Sequence, residues 1–167
     1  MKTRVGDVPD FIAIIRVLSE QNVDFIVVGG VAANLFGSAR LTYDLDLVYS
    51  RKESNLRRIV EALKGFNPYL RGAPTGLPFK LDLKTLKNGL NFTLTSDLGP
   101  IDLLGEIPGA RCYEELLADS FEINEAGLRF RCVKLARLIE LKNAAGRPKD
   151  LESIAELKTI LEESGNF

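Results

Sequence analysis

A chain of 167 residues with 46% hydrophobic and 27% charged residues suits one globular domain with a sizeable core, residues 1–167. The formal net charge is -1, so no strong overall field draws the chain to nucleic acid or to an anionic membrane, and a local basic patch stays open. There is no histidine. That excludes Ser/His/Asp and Cys/His catalysis and histidine-bound zinc, and leaves carboxylates, Lys, Arg, Tyr or a metal held by oxygen.

The opening stretch MKTRVGDVPDF has no apolar h-region, so no signal peptide is expected. Apolar runs such as 25–28 are far too short to span a bilayer, which predicts a cytoplasmic protein with no membrane partner. Cys112 and Cys132 lack metal-ligand spacing and read as free thiols.

Helical spacing of Phe11, Ile14, Ile15 and Leu18 predicts a first helix over 10–20, led in by Pro9. The β-branched run 24–28 reads as a buried strand that ends at Gly29-Gly30, and 31–36 as a short helix beginning at those glycines. Over 43–49 (YDLDLVY) the residues alternate: Leu45 and Leu47 fall on one face, Asp44, Asp46 and Val48 on the other. Ser54 is placed to cap a helix that runs to Leu63 and stops at Gly65. The Pro- and Gly-rich 66–76 reads as loop. Three strands are expected at 79–83, 90–95 and 100–104, the first two joined by a turn at Asn88-Gly89. A short helix at 112–117, a small hairpin from 120–123 and 128–130, a helix over 133–145 ending at Gly146, and a last helix from Pro148 to about Glu163 complete the chain. No repeat or linker divides it.

The informative stretch is 27–49, VVGGVAANLFGSARLTYDLDLVY. Glycines at a helix start let a phosphate approach the backbone, where free N–H groups and the helix dipole favour an anion. Two aspartates two apart on a strand point the same way, and their like charges need a cation between them. A divalent ion with oxygen ligands meets that need, and Mg²⁺ commonly bridges carboxylates and substrate phosphates. Alone, Gly-Gly is usually a turn and Asp-x-Asp usually a solvated strand face. Here the order and spacing combine them.

Gly29-Gly30, a gap of thirteen residues (31–43), then Asp44-Leu45-Asp46 resembles the signature of the nucleotidyltransferase superfamily with the polymerase-β-like fold. The likeness is to minimal nucleotidyltransferases and to AbiEii-like toxin nucleotidyltransferases. It implies an α+β fold: a mixed central β-sheet flanked by helices, with a helical C-terminus. It implies two Mg²⁺ ions, with Mn²⁺ as a substitute, on Asp44, Asp46 and a third acid from a later strand. Gly99-Pro100-Ile101-Asp102-Leu103-Leu104 resembles that strand, which makes Asp102 the third ligand. Asp102 also interrupts an apolar run, where a charge is costly without a cation. Asp82, flanked by Lys80 and Lys84, reads instead as an exposed strand residue, and Asp97 as a turn residue.

The segment 138–150 (LIELKNAAGRPKD) resembles the C-terminal helical part of these small enzymes. There basic residues reach back to the substrate, which implies a triphosphate role for Lys142 and Lys149, while Arg147 lies at the same joint. Asp150 is expected to cap or pair locally. Arg40 is placed to meet a phosphate, and Ser38 and Thr42 to position phosphate or metal-bound water, against a plain loop reading for both. The resemblance thus implies an enzyme that transfers a nucleoside monophosphate from an NTP to an acceptor hydroxyl on RNA or a tRNA end, a protein or a small molecule, releasing pyrophosphate. The alternatives are a non-catalytic nucleotide-binding or protein-interaction module paired with an antitoxin, and an antibiotic-type small-molecule nucleotidyltransferase.

Overall fold

The computed structural model describes residues 10–165, so Pro9 lies outside the described residues. Helix α1 (Phe11–Glu20) starts where the Asp10 carboxylate accepts from Ala13 N at 3.0 Å, and it buries Ile14, Ile15 and Leu18. Strand β1 (Phe25–Val28) is buried at all four positions and runs directly into α2 (Gly29–Leu35). Strand β2 (Leu45–Tyr49) lies antiparallel to β1, with Val28 opposite Asp46.

Helix α3 (Glu53–Leu63) follows. The expected Ser54 cap is not used: Lys52 is the N-cap residue and gives no side-chain bond. The buried Asn55 anchors this helix instead. Its side chain accepts from Asp24 N at 2.7 Å and donates to Asp24 O at 3.1 Å and Ser50 O at 2.8 Å, tying α3 to the ends of β1 and β2.

The stretch 66–76, expected as loop, contributes a two-residue edge strand β3 (Tyr69–Leu70). The strand expected at 79–83 does not form. The Asp82 carboxylate accepts from Thr85 N at 2.9 Å and starts helix α4 (Leu83–Asn88). Asp82 is therefore a helix cap, because a short Asp side chain satisfies a first-turn N–H that nothing else reaches. Consequently β4 (Asn91–Thr95) pairs with β3 and with β5 (Ile101–Leu104), with no hairpin across Asn88-Gly89.

Helix α5 (Tyr113–Leu117) leads to the hairpin of β6 (Ser120–Glu125) and β7 (Leu128–Val133), longer than its apolar residues announce. Helices α6 (Leu135–Ala145) and α7 (Pro148–Ser164) complete the described chain. The seven strands form one mixed sheet in the order β3-β4-β5-β2-β1-β7-β6. Its two parallel pairings are β2 with β5 and β1 with β7. Helix α1 packs on α3 and β7, α3 on α4, and α6 on α7 and α2. The core is continuous from Ile14 through the central strands to Leu157. Among the described residues no helix is long and apolar enough to cross a membrane.

Candidate metal and nucleotide site

The site follows from strand register. The parallel pairing of β2 with β5 sets Asp46 beside Asp102, and Asp44 lies two residues before Asp46 on the same side. One carboxylate oxygen from each of the three lies within 4.8 Å of the others. Such crowding is unfavourable for like charges in a partly dry setting. Burial pushes the Asp46 carboxyl up to about 7, with Asp102 and then Asp44 adding to the rise and Lys149 opposing it. Asp102 is also raised, first by burial and then by Asp44, against the pull of Arg71.

A cation already reaches this cluster. The Arg71 guanidinium, just past β3, stands 2.8 Å from Asp102 Oδ1 and 3.5 Å from Asp44 Oδ2. Its Nη2 donates to Leu94 O at 2.7 Å. The pairing with Asp102 is a charge contact without hydrogen-bond alignment: Asp102 Oδ1 and Arg71 Nε are both buried and carry no hydrogen bond. Three carboxylates that converge within 4.8 Å form a donor set that suits a hard divalent cation.

Both glycines are set by close approach to this cluster. Gly29 has φ +66°, and a Cβ there would come within 2.1 Å of Asp46 Oδ2. A Cβ on Gly30 would lie 2.6 Å from Thr42 Oγ1. The space above the pair is thus shared with the chain's own Asp46 and Thr42, a reason for glycine that holds with or without a phosphate.

A cavity of about 350 Å³ opens beside Asp46 and Asp102. Its far wall is α6 and the start of α7, with Leu138, Leu141, Lys142 and Arg147; Ile107 and Pro108 close another side. Lys142 is mostly buried there. Burial lowers its pKa, against the opposing effect of Asp150, whose Oδ1 is 3.9 Å away. Asp150 is 2% exposed and holds the α6–α7 joint: it accepts from Arg147 N at 3.2 Å and Nε at 2.7 Å. It pairs locally, as its sequence position suggested. Lys149 is exposed on the first turn of α7 and acts on Asp46 through charge.

The loop 37–44 divides the remaining candidates. Thr42 lies over Gly30, and its Oγ1 donates to Asp44 O at 3.2 Å, at the edge of the cluster. Ser38 is buried, with its Oγ accepting from Arg40 N at 3.3 Å. Arg40 turns to α7, where it meets Glu152 at 3.5 Å. Asn34 of α2 secures both backbones, donating to Ser38 O at 3.0 Å and Arg40 O at 2.8 Å. Cys112 and Cys132 are both free, and burial pushes the Cys132 thiol up to about 12, far from a reactive thiolate.

A candidate nucleotidyltransferase from Thermotoga maritima superposes on this chain with a TM-score of 0.54 at 14% identity, over 87% of this chain and 88% of that one. An antigenic nucleotidyltransferase-like protein from Paracoccidioides brasiliensis superposes with a TM-score of 0.55 at 16% identity, over 92% of this chain and 75% of that one. This is the nucleotidyltransferase fold. The sequence matches no protein-family model and no curated protein, so the nucleotidyltransferase fold is recognised here through backbone geometry. Within that fold, the residue that sequence reasoning missed is Arg71. It is the one charge in 66–76, and a lone arginine in a Pro- and Gly-rich stretch was the available signal.

Proposed function

We propose that residues 1–167 form one nucleotidyltransferase domain, acting in the cytoplasm, that moves a nucleoside monophosphate from an NTP to an acceptor hydroxyl and releases pyrophosphate. The observation that carries this reading is the convergence of Asp44, Asp46 and Asp102 within 4.8 Å beside a cavity walled in part by Lys142 and Arg147. Anionic ligands for a cation and cationic ligands for a phosphate face one space, which is what a metal–triphosphate complex requires.

Asp44, Asp46 and Asp102 would hold two Mg²⁺ ions, and Mn²⁺ in their place. Ions bound there supply charge neutralisation on the transferring phosphate and acidify the acceptor hydroxyl. The triphosphate runs past Gly29 and Gly30 towards Lys142 and Lys149, with Arg147 adding charge. Thr42 stands nearest to it in the loop, and Ser38 and Arg40 support the loop's shape through their local bonds. Asp102, which converges with the other two acids on this space, takes the proton of the acceptor hydroxyl. The acceptor oxygen then bonds to the α-phosphorus, and the bond from that phosphorus to the β-phosphate oxygen breaks. Lys142 and Lys149 meet the charge that collects on the departing pyrophosphate.

The test is a thermal melt of wild type and Asp44→Asn with Mg²⁺ and each NTP in turn. A ligand that binds only the native state must raise the wild-type Tm. The expected result is an upward shift for wild type with at least one Mg·NTP and little shift for the variant. No shift of wild type with any Mg·NTP or Mn·NTP at millimolar concentration would overturn the reading.

A further inference from the structure

Two of the three acids are already engaged by a cation of the chain itself. Arg71 is fixed at three points. Its backbone N–H donates to Thr93 O at 3.0 Å, Nη2 donates to Leu94 O at 2.7 Å, and the guanidinium bridges Asp102 at 2.8 Å and Asp44 at 3.5 Å. Thr93 is the register partner of Asp102 across β4 and β5, so the sheet itself delivers the arginine head to the acid cluster. The contact is sheltered, with the Arg71 side chain 30% exposed and that of Asp102 17%. In that setting a charge pair is screened less than on an open surface.

We infer that Arg71 is a built-in counter-cation that competes with divalent metal for Asp44 and Asp102, and so sets the metal affinity of the site. The inference rests on the metal-site reading above. The physical case is one of charge: a guanidinium and a divalent ion compete for the same two carboxylates and repel each other beside them. A divalent ion of the Mg²⁺ kind takes carboxylate oxygens at about 2.0–2.1 Å with near-ideal octahedral demands. A divalent ion that approaches Asp102 Oδ1 meets the repulsion of a guanidinium nitrogen 2.8 Å from that oxygen. Asp44 Oδ2 has the same conflict, more loosely, at 3.5 Å. The planar fork of arginine is suited to spanning two carboxylates, whereas an ammonium reaches one of them as a point charge. Arg71 need not leave when an ion arrives. The bond to Leu94 O lies on the β4 side of the cluster and can hold the head close by while the acids change partner.

This places stability and metal affinity in opposition. Arg71 relieves repulsion among the acids when it is seated, and it costs metal affinity because its contacts with Asp44 and Asp102 give way to the ion. A residue that merely supported the fold, or that oriented Asp102 for the metal, would move both quantities in the same direction. The two roles are therefore separable by sign.

The experiment compares wild type, Arg71→Lys and Arg71→Met, the last keeping an unbranched stem without charge. Free Mn²⁺ is titrated into each protein and followed by electron paramagnetic resonance, and each is melted in EDTA, with circular dichroism to establish the fold. The expected order of Mn²⁺ affinity is Met variant, then Lys variant, then wild type, with the Met variant about tenfold or more tighter than wild type, the scale of losing one sheltered charge-assisted contact. The expected order of Tm in EDTA is the reverse. If wild type binds Mn²⁺ and neither variant binds it more tightly, Arg71 does not compete and this inference is overturned, while the metal site stands. If none of the proteins binds Mn²⁺ at millimolar concentration, both fall. Should the Met variant fail to fold, the Lys variant decides the sign alone.

Discussion

Removing the charge of Asp46 should stabilise the protein in EDTA, and the gain should depend on pH. Arg71 reaches Asp44 and Asp102, whereas Asp46 faces both, with the rise of its carboxyl opposed by Lys149 and its charge also felt by Lys142 and Arg147. Its carboxyl goes from an ordinary 3.8 to about 7. A carboxyl that is raised by folding contributes its full stability below the unfolded value, 3.8, and loses it as pH rises through the folded value, about 7. At pH 8 the ceiling on the cost of ionised Asp46 is roughly 4 kcal/mol, and sharing of the proton with Asp102 brings it to about 2. Asp46→Asn should then raise the Tm in EDTA by about 4–8 °C at pH 8, given about 2–4 °C per kcal/mol for a chain of this size. At pH 5 the gain should shrink to under about half, because the folded carboxyl is then largely protonated. The assay is a thermal melt of wild type and variant across that range with EDTA present. A variant that melts no higher than wild type at pH 8, or whose gain is the same at both pH values, would refute the account of crowded acids.

Gly29→Ala should cost roughly 1–3 kcal/mol by denaturant unfolding, since an L side chain would carry the left-handed strain at φ +66° and press on Asp46 Oδ2; an undisturbed midpoint would show that the Asp46 carboxylate does not lie where described. Asp102→Asn should abolish nucleotide transfer, whereas Asp82→Asn should leave it near wild type and Asp82→Ala should cost about 1 kcal/mol of stability through the lost helix cap; inverted effects on transfer would show that the third acid is not the one on β5. Lys149→Ala should weaken binding of Mg·NTP by roughly 1.5–3 kcal/mol, measured by calorimetry, if the lysine makes a charge-assisted phosphate contact; equal affinities would return Lys149 to the solvated face of α7.

The parts of the fold written in local chemistry were legible. Apolar spacing located α1, β1, β2, α6 and α7 to within a residue or two, because each carries a continuous buried face. The acid pair and the third acid were legible through the family resemblance carried by Gly29-Gly30, Asp44-Leu45-Asp46 and the stretch 99–104; for Asp102, its place between apolar residues that are buried in the structure added a physical reason. Two kinds of feature were not. The stretch 79–83 alternates like a strand, and only the hydrogen bond from Thr85 N to the Asp82 carboxylate decides for a helix start. Arg71 is marked in the sequence only as the lone charge of 66–76; its role depends on β3 joining the edge of the sheet through pairing with β4, a non-local event that local sequence does not place. The glycines were found, but the identity of what crowds them, Asp46 and Thr42, required the register of β1 against β2.

The most direct measurement of the central claim is transfer of label from NTPs carrying ³²P at either the α- or the γ-phosphate, with Mg²⁺ and a cell extract as the source of acceptors. The expected result is that α-label alone becomes attached to an acceptor fraction, that an equal amount of pyrophosphate is released, and that Asp44→Asn and Asp46→Asn lower the rate by several orders of magnitude. Attachment of γ-label, or transfer that persists in either variant above about a tenth of the wild-type rate, would contradict it.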